Sequence, residues 1–216
     1  MIKKLFYLLI VSIAAEQWGC YPKGAEYIDE VDIVYTNYSS EFDFISKKTY
    51  AIPDSVIKIT GDNFLDPDGD GKPQFMSPAN AAVILTQINK NMQDYGWTRV
   101  DKNDNPDVIL LASTNTTTNL YYYYDWSYWG WYYPGYYPGW GWGYGWYYPP
   151  YVTGYRSGSI FVQMVDHHSA TPTIENVPVV WNCIINGLAE GGSASISART
   201  QKGIDKAFSQ SPYLKL

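Results

Sequence analysis

The chain has 216 residues, 46% of them hydrophobic and 17% charged, which fits one domain with a real core. Its 15 Lys and Arg are outnumbered by 21 Asp and Glu, giving a formal net charge of −6, and no basic stripe is present. That balance excludes nucleic-acid binding as a function class.

Residues 1–4 are short and basic through Lys3 and Lys4, and residues 5–15 (LFYLLIVSIAA) form an unbroken apolar run. A basic start followed by a short apolar stretch reads as a secretory signal, too short for a membrane-spanning helix. Gly19-Cys20 then places a cysteine directly after a small residue. This resembles a lipobox, the site where bacterial lipoproteins are cut and the new N-terminal cysteine is acylated, although Gln17 stands where Leu is usual and Trp18 is bulky. The rival reading is cleavage after Ala14 or Ala15, which leaves Cys20 as a free or disulfide-bonded thiol. On the lipobox reading, residues 1–19 are a signal peptide and 20–26 a tether. Residues 27–216 are then a single domain, held to a membrane through acyl chains. Tyr21 rather than Asp follows Cys20, which favours the outer membrane. Cleavage removes Lys3, Lys4 and Glu16 and leaves the mature chain one unit more acidic.

Partial alternation and β-branched residues predict a strand over 27–35 (YIDEVDIVY). A second is predicted over 42–52 (FDFISKKTYAI), kinked at 46–48 and broken by Pro53-Asp54. Residues 66–74 read DPDGDGKPQ. Asp66, Asp68 and Asp70 alternate and Gly71 follows, as in the first half of a calcium loop, where oxygens must converge at about 2.4 Å and glycine permits the turn. Ser77 occupies the twelfth position, where a bidentate Glu is expected, so the loop is incomplete. Calcium at these three carboxylates competes with a solvated acidic turn.

Ser77 offers an N-cap oxygen and Pro78 suits the first helical position. Ala81, Leu85, Ile88, Met92 and Tyr95 recur at spacings of three and four, predicting a helix with one buried stripe that Gly96 ends. After Asn105-Pro106, residues 107–113 (DVILLAS) read as a central strand. Strands are also predicted over 158–165, where Ile160, Val162 and Met164 alternate, and over 178–187 (PVVWNCIING). Cys183 in the latter is read as a small buried core residue. Thr200, Ile204, Ala207 and Phe208 share a face and predict a last helix from about residue 194 until Pro212 stops it. The fold expected is α+β, an antiparallel or mixed sheet of about five strands with two helices.

Several of these residues are familiar together. Phe42-Asp43-Phe44, Lys48-Thr49-Tyr50-Ala51, the helix ending Tyr95-Gly96-Trp97, Asn105-Pro106-Asp107-Val108 entering a strand, and the closing Ser211-Pro212 are spaced as in one bacterial lipoprotein family. Outside 121–151, the chain from 27 to 214 resembles domain-of-unknown-function family 4136, of secreted and lipid-anchored proteins of Gram-negative bacteria. The resemblance implies an envelope location and an α+β fold. It implies no activity, and it brings no catalytic residues.

Residues 121–151 stand apart, with 19 Tyr or Trp among 31 positions and Asp125 as the one charge. Prolines forbid a helix and six glycines loosen the backbone, so the run reads as a low-complexity insertion between two strands. Rings of this kind suit a membrane interface, stacking on glycans, or docking to a protein, against the plain reading of a self-packed surface loop. Without Lys or Arg to recruit anionic lipid, or carboxylates to grip sugar hydroxyls, protein or interface contact leads. Carbohydrate binding by Trp129, Trp131, Trp140, Trp142 and Trp146 is the alternative. Asp166-His167-His168 reads as a strand end followed by a polar turn, since adjacent histidines on a strand point to opposite faces. Nucleophile, phosphate-loop and dinucleotide signatures are missing, so no enzyme is expected. The sequence thus points to a lipid-anchored envelope protein with a structural or interaction role and an unknown protein or glycan partner.

Overall fold

The computed structural model describes residues 33–59, 74–115, 158–169, 179–186, 188 and 193–216. Among them the chain forms seven strands and two α-helices. In order these are β1 (Ile33–Tyr38), β2 (Thr49–Ala51), β3 (Ile57–Ile59), α1 (Pro78–Asp94), β4 (Thr98–Arg99), β5 (Val108–Asn115), β6 (Ser159–Asp166), β7 (Val179–Asn186) and α2 (Ser193–Ser209). A 3-10 turn, Pro212–Leu214, follows.

All seven strands belong to one mixed sheet, in the order β1-β7-β6-β5-β2-β4, with β3 also on β5. Antiparallel ladders join β5 to β6, β6 to β7 and β7 to β1, whereas β2 and β3 run parallel to β5. The α+β class therefore holds, with two strands more than expected. Both are short: β3 has three residues and β4 two. Each exists because a longer partner supplies the ladder, β5 for β3 and β2 for β4.

The predicted strand over 42–52 shrinks to Thr49–Ala51. Its first half turns instead, with the Phe42 N–H donating to the Ser39 carbonyl and the Lys47 N–H to the Phe44 carbonyl. Phe42 and Phe44 meet edge to face at 4.8 Å, and Phe44 lies 5.5 Å from the Tyr213 ring. Aromatic packing against the C-terminal turn thus overrides the strand pattern. The first predicted strand is seen over Ile33–Tyr38, and its residues before 33 lie outside the described residues.

Helix α1 buries Ala81, Ile84, Leu85, Ile88 and Met92 on one stripe, as its spacing predicts. Its start differs from expectation. Ser77 stands at the N-cap but makes no side-chain cap bond; its carbonyl instead accepts from Asn80 and Ala81 N–H. Its end is a Schellman motif: Gly96 N–H donates to Gln93 O and Trp97 N–H to Met92 O, each at 3.0 Å. Gly96 takes φ +95°, the left-handed conformation that such a closure requires. Helix α2 buries Thr200, Ile204, Ala207 and Phe208, and it approaches β7 closely at Gly203. A Cβ there would sit 2.7 Å from Cγ2 of Ile185. The helices are also tied side by side, since Asp205 Oδ1 accepts from Gln87 Nε2 at 2.5 Å and from Asn91 Nδ2 at 2.7 Å.

The central strands β5, β6 and β7 are buried on both faces. Tyr50, Val108, Leu110, Ala112, Ile160, Val162, Met164, Trp181, Cys183 and Ile185 join the helices in one core. The alternate set, Ile109, Leu111, Phe161, Val165 and Ile184, points the other way and stands outside that core, yet it too is buried.

Candidate functional site

The family-like motifs converge at the start of β5. The Asp107 carboxylate accepts from the Lys48 N–H at 2.8 Å, the Thr49 N–H at 2.9 Å and the Thr49 hydroxyl at 2.9 Å. The Asp107 N–H in turn donates to Thr49 Oγ1 at 2.9 Å. Burial alone would raise the Asp107 carboxyl, but these donors, with His168 at 3.5 Å from its other oxygen, hold it below the usual carboxylate range. Asn105, with φ +52°, and Pro106 deliver Asp107 to this position. The knot ties the start of β2 to the start of β5, next to the parallel pairing of Tyr50 with Val108.

The same knot absorbs the histidines. They follow β6 in a turn, where the His167 N–H donates to the Asp107 carbonyl at 3.1 Å and the two rings lie 5.6 Å apart. The Asp166 carboxylate accepts from the His168 N–H at 3.2 Å and also from the Ser169 hydroxyl. Burial, then the neighbouring His168, lowers the His167 pKa, with Asp166 opposing. A strand end and a polar turn is therefore what forms. Among the described residues no group of three or more His, Cys, Asp or Glu side chains is placed to hold a metal. Cys183 is free and buried, and burial pushes its thiol up to about 12. It is a core residue, as expected, and no nucleophile at neutral pH.

Tryptophans act as fasteners at the C-terminal turn. Trp97 Nε1 donates to the Leu214 carbonyl at 2.7 Å and Trp181 Nε1 to Ser211 Oγ at 2.9 Å. Tyr95 Oη donates to the Phe208 carbonyl at 2.8 Å. Tyr95 and Trp97 thus fasten to Phe208 and Leu214, on either side of Ser211-Pro212, a pairing across more than a hundred residues that local pattern alone does not reveal.

Cys20, the carboxylates Asp66, Asp68 and Asp70, and Trp129, Trp131, Trp140, Trp142 and Trp146 all lie outside the described residues. What is described is the frame from which the aromatic run departs. The chain leaves β5 at Asn115 and re-enters β6 at Ser159, and these two residues are partners in the ladder. The second sheet face carries a feature that sequence reading missed: Asn182 is buried, and among the described residues its Oδ1 accepts no hydrogen bond.

An open mixed sheet with two helices on one face defines a small α+β domain. The chain belongs to the DUF4136 family, a domain of unknown function, whose model matches residues 34–213. It is similar to a DUF4136-family protein of Bacteroides thetaiotaomicron, with 29% identity and a TM-score of 0.61, over 85% of this chain and 97% of that one. Two other solved structures are more remote, each at a TM-score of 0.40. They are a PelC dodecamer subunit of Paraburkholderia phytofirmans (12% identity, 85% of this chain and 97% of that one) and a PDZ domain protein of Parabacteroides distasonis (14%, 86% and 37%). No curated protein matches the chain.

Proposed function

We propose that this chain is a lipid-anchored protein of the cell envelope, acylated at Cys20, with a non-enzymatic interaction role. The observation that carries the reading is Gly19-Cys20, placed directly after a basic start and an apolar run of residues 5–15. The matched domain begins at residue 34, which leaves a short tether behind such an anchor. Two or three acyl chains hold a protein to a bilayer without a spanning helix, and no helix among the described residues is long and apolar enough to cross one. Tyr21 after the anchor favours the outer membrane.

The non-enzymatic part of the reading draws support from the groups that carry chemistry elsewhere. The histidines are engaged at a strand-end turn, the Asp107 carboxylate accepts from two main-chain N–H groups and the Thr49 hydroxyl, and the Cys183 thiol is buried. Residues 121–151 then serve as a contact element held close to a bilayer, toward a protein partner or the interface itself.

The test is the intact mass of the membrane-extracted protein beside a Cys20→Ala version. Cleavage before Cys20 plus fatty acyl mass, lost together with membrane association in the variant, is the expected result. A soluble, unacylated product cut near Ala15 overturns the reading.

A further inference from the structure

Strand β1 ends the sheet. The order β1-β7-β6-β5-β2-β4 leaves its outer side without a neighbouring strand among the described residues, whereas the opposite end is β4, of two residues. The ladder shows which groups face outward. The Ser39 N–H donates to the Val180 carbonyl at 2.8 Å, and Ser39 continues the register that pairs Ile33 with Asn186. Antiparallel residues alternate, so Ile33, Tyr35 and Asn37 direct their N–H and C=O groups to β7, and Val34, Thr36 and Tyr38 direct theirs outward. The Tyr38 N–H fits this parity: it turns away from β7 and donates to Asn37 Oδ1 at 2.9 Å. The Val34 and Thr36 N–H groups are left to face the open side.

Most proteins blunt such an edge with Lys, Pro, a bulge or an inward charge. β1 (IVYTNY) carries no charge and no proline, and its register against β7 is unbroken. Its β-branched and aromatic residues are strand formers. Exposed apolar surface gathers here too. Of the four large hydrophobic side chains exposed among the described residues, Ile33 (60%) and Tyr38 (43%) are the two ends of β1, and Ile45 lies in the turn that follows.

We propose that β1 pairs antiparallel with β1 of a second copy of this chain, across a two-fold axis at Tyr35, so that two sheets become one. Three observations select a second copy. The first is symmetry: the outward donors Val34 and Thr36 flank Tyr35, so Val34 of one chain and Thr36 of the other form a hydrogen-bonded pair, and the axis generates its twin. Tyr35 then meets the second copy's Tyr35 in the closer, non-hydrogen-bonded kind of pair. Exposed Ile33 is covered by the second copy's Asn37, opposite, and Tyr35, diagonal. The second is charge: an acidic chain of net −6 meets itself here without opposed charges, because the strand carries none. The third is closure. The far edge of the sheet has two residues and cannot receive a six-residue strand, so edge pairing stops at two copies instead of propagating. A ladder of this length is a small interface, below about 1,200 Å², and the dimer is reversible.

The experiment uses the full chain carrying Cys20→Ala, so acylation plays no part and the anchor reading stands or falls separately. Tyr35→Cys places two thiols across the axis with Cα atoms about 4.5 Å apart, inside disulfide range. The thiols of Ile33→Cys lie roughly 14 Å apart in the same register. With oxidised glutathione, Tyr35→Cys should form a disulfide dimer at least tenfold faster than Ile33→Cys, read on a non-reducing gel. Equal rates, or no dimer, overturn the proposal. Amide hydrogen exchange with Tyr35 and Ile33 unchanged supplies the second readout. Val34 and Thr36 N–H should exchange at least tenfold faster at about 10 μM than at about 1 mM, while Tyr35 and Asn37 N–H stay protected at both. Protection of Val34 and Thr36 at both concentrations would mean that the edge is covered within one chain, and free exchange at both would mean that it is bare; either overturns the proposal.

Discussion

Replacing Asp107 by alanine tests whether the motif residues act as a structural knot. The change strips a charged acceptor from three donors, Lys48 N–H, Thr49 N–H and Thr49 Oγ1. Hydrogen bonds to charged groups contribute about 1.5–3 kcal/mol each. The Asp107 side chain is 25% exposed, so water replaces part of what is lost. The net cost should be close to that of one such bond, about 2–3 kcal/mol, with about 1 kcal/mol for Asp107→Asn, which keeps an acceptor oxygen. Urea denaturation followed by circular dichroism measures this as a lower midpoint at unchanged slope. Because the folded-state pKa lies below the unfolded value of about 4, the carboxylate's contribution is complete above that value. It fades as the pH falls through the folded pKa. The gap between parent and Asp107→Ala should therefore be constant from about pH 5 to 8 and narrow below about pH 4. A cost under about 0.5 kcal/mol, or a gap indifferent to acid, refutes the reasoning.

Two further outcomes follow from packing. Gly203→Ala forces a Cβ to within 2.7 Å of a fully buried Ile185; overpacking of about 1–3 kcal/mol exceeds the helix-propensity gain of about 1 kcal/mol, so thermal melting should show a lower Tm. A Tm at or above the parent's would mean that α2 does not sit this close to β7. Cys183, buried with its thiol pushed up to about 12, should react with a thiol reagent at pH 8 only as fast as the chain unfolds; immediate stoichiometric labelling of the native protein contradicts that.

The helices were legible because their signal is local. The stripe Ala81, Leu85, Ile88, Met92 and the stop at Gly96 need no knowledge of the rest of the chain. The same holds for β7, whose continuous apolar run reports burial on both faces. Strand β3 was invisible because three residues carry no period, and only a distant β5 gives them a ladder. The turn over residues 42–47 was misread for a related reason: two Phe at alternate positions look like a strand until Tyr213 is known to lie beside them. The Asp107 knot announced itself as short motifs whose purpose lay 58 residues apart. The candidate anchor, calcium loop and aromatic contacts were read from residues outside those described, so composition still carries those readings.

The pairing of β1 with β7 sets an order of assembly. Ile33 opposes Asn186, so the sheet's edge closes only when two segments about 150 residues apart meet. Closing so long a loop costs entropy before any contact rewards it, and folds dominated by such contacts assemble slowly. A chain delivered N-terminus first brings β1 out long before its partner exists. In that interval β1 offers unpaired N–H and C=O groups to any extended neighbour. A protein tethered thirteen residues upstream would spend the wait at a surface crowded with other newly arrived chains. The conduct of this strand while unpaired then matters as much as its place in the finished sheet. Tyr35, Thr36 and Asn37, half-buried there rather than fully apolar, suit both.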